Sequence, residues 1–144
     1  GLLESEFKSF EADTDFDGTI DTVLDDNPVA RAPEMTYNVD FLYDHAFMGG
    51  RVDWNLNVNY VDEATYAYTA LPDTPDGITD ERTLVNAGVT FRPDDGAWWV
   101  RLFGQNLTDE EYRLGELPVA NLWVMSYYGQ PVTFGIEGGM DFNW

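Results

Sequence analysis

The chain has 144 residues, with 27 Asp and Glu against 7 Lys and Arg, for a formal net charge of -20. That balance excludes a binder of the phosphate backbone, which needs clustered cations, so nucleic acid is not an expected partner. The absence of cysteine excludes disulfides, thiolate catalysis and Cys-ligated metals, and aromatics at 15% are too frequent for a disordered acidic tail.

No basic segment followed by an apolar one opens the chain, and Gly1-Leu2-Leu3 begins in mid-pattern, as expected of a piece of a longer polypeptide. The opening stretch Leu2–Phe10 is expected as a first strand. A long connection, Glu11–Ala32, follows. It contains Asp13-Thr14-Asp15-Phe16-Asp17-Gly18-Thr19-Ile20-Asp21, with oxygen-bearing side chains at alternate positions and a Gly for a sharp turn, the way a calcium loop begins. The twelfth position is Leu24, where the bidentate Glu is required, and Asp25 comes one place late. Two readings stand side by side: Ca2+ held by Asp13, Asp15, Asp17, Thr19 and Asp21, or an acidic solvated loop.

From Met35 onward the period is two. Met35, Tyr37, Val39, Phe41 and Tyr43 oppose Thr36, Asn38, Asp40 and Asp44, with Leu42 the one apolar residue on the polar side. Alternation puts such sets on opposite faces of a strand. Met48-Gly49-Gly50 is a tight turn. Val52, Trp54, Leu56, Val58 and Tyr60 then oppose Asp53, Asn55, Asn57 and Asn59. A long connection covers Ala67–Arg82. The next strand sets Val85, Ala87, Val89 and Phe91 against Asn86, Gly88, Thr90 and Arg92, and Pro93-Asp94-Asp95-Gly96 is a second tight turn. The strand at 97–112 is less clean, with Trp99 and Phe103 on the face of Arg101 and Gln105. A third long connection, Arg113–Gly129, carries Trp123, Tyr127 and Tyr128, expected as a ligand-binding surface or as loop packing. The last strand places Val132, Phe134, Ile136, Met140, Phe142 and Trp144 on one face.

About six strands are therefore expected, joined alternately by short turns and long loops. That is the pattern of an up-and-down transmembrane β-barrel with a periplasmic C-terminus. The segments at 35–46, 51–62 and 131–144 reach the ~9–11 residues needed to cross a bilayer. Aromatics near strand ends (Phe47, Trp98, Trp99, Tyr66, Tyr68) fit the two membrane interfaces. No run approaches the ~20 apolar residues of a membrane helix, which says nothing against a barrel. Six strands are fewer than the ~8 of the smallest bacterial barrels, so further strands are expected from more chain. His45, the single histidine, falls on the apolar face near a turn and is expected to be interfacial. Carboxylates on the polar face are expected to hydrate it and to pair with Arg92 and Arg101. No catalytic constellation stands out, and an enzyme is not expected.

The segment Phe103-Gly104-Gln105-Asn106-Leu107-Thr108-Asp109-Glu110-Glu111-Tyr112 closely resembles the G-x-N-L-x-D-x-x-Y segment of TonB-dependent receptors, at the same place before the last strand. Asn106, Leu107, Asp109 and Tyr112 carry the match. Arg31-Ala32-Pro33-Glu34 is similar to the upstream R-x-P segment of that family. The terminal Phe142-Asn143-Trp144 is similar to the aromatic-ended signal read by the barrel assembly machinery, with Phe142 and Trp144 as the signal and Trp in place of the commoner Phe. The resemblance spans roughly 31–144. It implies that 1–144 is the C-terminal segment of a plugged, 22-strand type barrel in the Gram-negative outer membrane. It further implies energy-coupled uptake of a ferric siderophore, cobalamin or oligosaccharide. The implied partners are outer-membrane lipid, the upstream barrel and plug, and the TonB complex. The plug domain and the energy-coupling box are absent from this sequence. The alternative is a soluble acidic β-sandwich binding module with calcium-filled loops, since sandwich strands also alternate.

Overall fold

The structure, a computed structural model, describes residues 1–9, 11–13, 17–20, 22–23, 29–65, 77–119 and 122–141. Every regular element among them is a β-strand and all strand pairings are antiparallel, so the protein is all-β. The strands are β1 (Glu11–Ala12), β2 (Thr22–Val23), β3 (Thr36–Ala46), β4 (Gly50–Val61), β5 (Ala64–Thr65), β6 (Ile78–Thr79), β7 (Arg82–Pro93), β8 (Trp98–Gln105), β9 (Arg113–Val119), β10 (Trp123–Tyr128) and β11 (Thr133–Met140). The chain divides into two compact units. One comprises Gly1–Thr36, Val61–Arg82 and Tyr112–Gly129; the other comprises Tyr37–Tyr60, Thr83–Glu111 and Gln130–Trp144.

The second unit is built on a single five-stranded sheet of order β11-β8-β7-β4-β3. Two hairpins shape one end of it. Met48 (φ 45°) and Gly49 (φ 72°) both lie in the left-handed region, as a two-residue type I′ turn demands, and Phe47 and Gly50 exchange both backbone bonds around them. At the other hairpin the Gly96 N–H donates to the Pro93 carbonyl at 2.9 Å and the Asp95 carboxylate accepts the Ala97 N–H at 3.0 Å. Gly96 has φ 65°, a conformation that costs glycine little.

The register of β11, β8 and β7 fixes the two faces. Phe134 lies opposite Gly104, Ile136 opposite Leu102 and Met140 opposite Trp98; Val89 lies opposite Leu102 and Phe91 opposite Val100. These apolar residues share one face. Phe103, Arg101 and Trp99 lie opposite Gly135, Glu137 and Gly139 on the other, where β7 adds Gly88 and Thr90. The alternation expected for each of these strands is the one observed.

Large rings lie over glycines across the strands. A Cβ on Gly135 would run into the Phe103 ring, one on Gly139 into Trp99, one on Gly104 into Phe134 and one on Gly50 into Phe91. Each pair covers backbone that a glycine would otherwise leave bare.

Among the described residues nothing covers the apolar face. Among the described residues the only buried hydrophobic side chains are Val52 and Tyr112, and none is fully buried. Phe134 is 72% exposed, Ile136 70%, Phe41 59% and Leu102 54%. His45 sits at the end of this run, its ring stacked on Tyr43 at 5.4 Å and edge-on to Phe47 at 6.3 Å.

The first unit holds the longer connections, and two expectations change there. Leu2–Phe10 forms no regular strand among its described residues. Leu2 makes a single bridge to Met35, and the Leu3 N–H donates to the Glu34 carbonyl at 2.8 Å. Arg113–Gly129, expected as a loop, is the hairpin β9–β10, with Leu117 opposite Met125 and Gly115 opposite Tyr127. Gly115 and Pro118 argue for a loop in sequence. A two-stranded ribbon admits the proline, because each strand has an outer edge where a missing N–H costs nothing. The strand expected at 97–112 ends at Gln105, for a reason that lies in Asn106.

Candidate functional site

Two polar rows cross the open face of the five-stranded sheet. One is built of amides. The Asn57 Nδ2 donates to Asn38 Oδ1 and Asp40 Oδ1, both at 2.8 Å, and Asn38 Nδ2 donates to Asp40 Oδ2 at 2.9 Å. Asn86 Nδ2 donates to Asn57 Oδ1 at 3.2 Å, and Asn86 Oδ1 accepts the Asn106 backbone N–H at 3.0 Å. The row thus runs from β3 through β4 and β7 to the end of β8. An amide carries donors and an acceptor together, so it can be relayed from strand to strand with each end satisfied.

The second row is ionic. Arg51 meets Asp44 at 2.6 Å and Asp53 at 3.1 Å, Arg92 meets Asp53, and Arg101 meets Glu137 at 3.4 Å. The Arg101 guanidinium also lies 5.4 Å from the Phe103 ring centre. Asp44, Asp53, Arg92, Arg101 and Glu137 of this row, with Thr90 and Trp99, line a concavity of about 500 Å³. All of its ion pairs are partly solvated, so each adds at most about 1 kcal/mol to stability, and the row serves mainly to place charge on this face.

Asn106 ends β8. It is 4% exposed, with φ 48°. Its Nδ2 donates to the carbonyls of Glu110 and Gln130, both at 2.9 Å, and its Oδ1 accepts the Glu110 N–H at 2.9 Å. The side chain replaces the backbone partners that the ladder would have supplied, and so stops the strand. Asp109 (φ 51°) accepts the Val132 N–H at 3.1 Å, fixing the start of the last strand. Leu107 lies against Gly104 on the apolar face. In the other unit, the Tyr112 ring covers Gly129, and the Arg82 guanidinium stands 5.2 Å from its centre. The four residues of the G-x-N-L-x-D-x-x-Y match thus hold backbone or fill space.

In the first unit the β9–β10 hairpin is anchored by Arg113. Its backbone N–H and guanidinium both donate to Asp80, at 2.8 Å each, and Nη1 reaches Glu116 at 3.0 Å. Glu116 also accepts from the Ser126 hydroxyl at 3.3 Å. The Arg113 side-chain bond is the main cause holding the Asp80 carboxyl below its ordinary range, helped by the backbone N–H and the positive charge, and opposed by partial burial. Asp80 and Glu116 in turn push Arg113 up. The folded-state value for Asp80 lies below the unfolded one. Its contribution is therefore present above the unfolded pKa of about 3.9 and is lost as pH falls through the folded value. Asp80→Asn should loosen the hairpin at every pH. In the wild type the same loosening appears only below about pH 4, read as faster amide exchange at Arg113 and Tyr127.

The exposed aromatics of this hairpin are divided. Trp123, Met125 and Tyr127 alternate along one face of β10 beside Leu117, whereas Tyr128 follows a bulge and by alternation faces the other way. The structure thus brings Trp123 and Tyr127 together and separates Tyr128 from them.

Of the residues read as a calcium loop, Asp13, Asp17 and Thr19 are described; Asp15 and Asp21 lie outside the described residues. The Asp13 carboxylate accepts the Asp17 and Gly18 N–H groups at 3.2 and 2.7 Å, and Asp17 accepts the Thr19 N–H at 2.7 Å. Among the described residues no group of three or more metal-ligating side chains converges. Phe142 and Trp144 also lie outside the described residues.

Sequence reading missed one feature. A cavity of about 500 Å³ in the first unit is lined by Arg31, Pro33, Val61, Ala64, Thr79, Arg82 and Leu114, residues drawn from three separate segments. Local patterns carry no signal for it. No protein-family model, curated protein or solved structure matches this chain.

Proposed function

We propose that this chain forms part of the wall and outer loops of a transmembrane β-barrel of the TonB-dependent receptor type. Such a receptor takes up a scarce ligand across the Gram-negative outer membrane with energy from the inner membrane. The observation that carries the reading is the division of the five-stranded sheet. One face is apolar and exposed from Phe41 to Phe134, and the other is crossed by a row of amides and a row of ion pairs. A soluble sandwich turns its apolar face inward against a second sheet and its polar face to water. Lipid against the apolar face and an aqueous lumen against the polar face accommodate what is seen.

Strand length supports the same reading, since β3, β4 and β7 have 11, 12 and 12 residues against ~9–11 for a bilayer crossing. In lipid the outer edges of β3 and β11 need partners, because each unsatisfied backbone group costs several kcal/mol there. The reading therefore requires more strands, from a longer chain. On this reading the hairpin β9–β10 and its neighbours face the ligand, and this part of the protein does no covalent chemistry.

The test is to recover the native protein from cell fractions and determine its mass and N-terminal sequence. A chain several-fold longer in the outer-membrane fraction, opening with a globular plug, is the expected result. A chain of this length in the soluble fraction would overturn the reading in favour of the acidic sandwich.

A further inference from the structure

Trp99 and Gly139 are direct partners across β8 and β11, and the indole lies over the glycine, where a Cβ would run into the ring. One side of the ring is thus held against backbone. With that side occupied, the ring offers its other side to the concavity that it lines on the polar face of the five-stranded sheet. A flat, fixed aromatic surface therefore stands among polar groups. Leu42, the one apolar residue on the polar side of β3, lines the same concavity and is 79% exposed. The sheet order places β7 and β4 between β8 and β3, so the two apolar walls stand about 14 Å apart, three inter-strand steps.

The floor between these walls is polar. A Cβ on Gly88 would lie 2.6 Å from Asn55 Oδ1, 3.2 Å from Arg101 Nε and 3.4 Å from Arg101 Nη2. An acceptor and two donors thus converge on one bare patch of β7. Two residues further on, Thr90 brings a hydroxyl to the same concavity. Among the described residues neither the Asn55 amide nor the Thr90 hydroxyl has a hydrogen-bond partner, so both are open to a ligand. The charges, by contrast, are already matched: Arg92 meets Asp53, Arg101 meets Glu137 and Asp44 meets Arg51. Neither an anion nor a cation gains a net counter-charge from such a wall. A neutral ligand with donors and acceptors does gain, because the planar edge of a guanidinium or carboxylate can take two neighbouring groups at once.

We propose that this concavity is a subsite for a neutral sugar ring, with Trp99 as the stacking surface and Asn55, Thr90, Arg101 and Glu137 as hydrogen-bonding partners. A pyranose joins an apolar C–H face to a rim of hydroxyls, and the wall matches it with an aromatic surface beside donors and acceptors. A purely apolar ligand would stack as well but would cut the polar groups off from water without replacing their bonds. The volume of about 500 Å³ falls within the ~300–1,000 Å³ of small-molecule sites. The site needs only the polar face of the sheet, so it goes beyond the receptor reading and is tested apart from it.

The experiment is isothermal titration of maltose, cellobiose and lactose into the full-length protein in a polyoxyethylene detergent, whose head group carries no sugar. Saturable binding of at least one disaccharide, little changed by added salt, is expected. Trp99→Ala should weaken it by about 10- to 100-fold, the scale of a central aromatic contact, and Trp99→Phe should fall between. Thr90→Val keeps the shape of the side chain, removes the hydroxyl and should weaken binding by about 2- to 10-fold. Gly88→Ala fills the point where Asn55 and Arg101 converge; the atoms it meets are ends of side chains that can move aside, so the strand is kept while binding falls. Trp98→Phe, on the opposite face of β8, should bind as the wild type does. If Trp99→Ala fails to fold, Thr90→Val and Gly88→Ala decide the matter. No saturable binding of any of the three sugars, or equal binding by the wild type and these variants, overturns the subsite. Tighter binding of acetylated, amidated triglycine than of any sugar would assign the concavity to polypeptide and overturn the sugar. Outer-membrane location without sugar binding removes this subsite alone. Sugar binding by a soluble native protein removes the receptor reading alone.

Discussion

Leu102→Arg is expected to destabilise the protein by about 2–4 kcal/mol in a bilayer, the cost of a cation on the lipid side of a barrel near the midplane. Leu102 is central on the apolar face, opposite Ile136 on one side and Val89 on the other, and is 54% exposed. The same substitution on a water-washed surface changes stability by less than about 0.5 kcal/mol. Few single residues separate two environments so widely. The measurement is denaturant unfolding in lipid vesicles, with Ile136→Arg as a repeat and Thr133→Arg, on the opposite face of the same strand, as the tolerated control. A near-zero effect at both apolar positions would remove lipid from that face.

Asn106→Ala is expected to cost about 2–4 kcal/mol. The side chain makes three hydrogen bonds while almost fully buried, so its removal strands the Glu110 N–H and two carbonyls. Alanine at φ 48° adds left-handed strain. Asn106→Gly separates the two terms, because glycine accepts the dihedral yet restores no bond. It should recover only about 1 kcal/mol of the loss. Asn106→Asp keeps the acceptor but sets a carboxylate against the carbonyls of Glu110 and Gln130, and should be at least as harmful as alanine. Thermal unfolding monitored at 218 nm (roughly the β-sheet minimum) ranks the three. Equal stability of Asn106→Ala and the wild type would mean that the strand is stopped by something else.

The face of each long strand could be read from alternation, because a period of two decides which residues point together whatever the partners are. Val52, Trp54 and Leu56 against Asp53, Asn55 and Asn57 needed no knowledge of register. What joins strands was less legible. The hydrogen bond from Asn106 to Gln130 spans 24 residues, and Gly135 under Phe103 becomes a pair only once β8 and β11 are aligned. The β9–β10 hairpin was hidden by Pro118 and Gly115, whose loop preference is overridden by pairing with β10 and by the Arg113 anchor to Asp80. The exposed Trp123 and Tyr127 could be named from sequence, but their separation from Tyr128 follows only once this segment is known to be a strand, whose adjacent residues face opposite sides. The arginine cavity draws on residues as far apart as Arg31 and Leu114, and only the folded chain brings them together.

The amide row has a consequence for how the strands find one another. Asn38, Asn57 and Asn86 form a line at a single level of the sheet, one each on β3, β4 and β7, and the Asn106 backbone N–H just past β8 closes it. A slip of one residue at any strand would turn its asparagine to the apolar side, and a slip of two would carry it about 7 Å along the strand, beyond reach of its neighbours. The line therefore acts as a running check on alignment. Each pair of neighbouring strands completes its part of the row only in the correct frame.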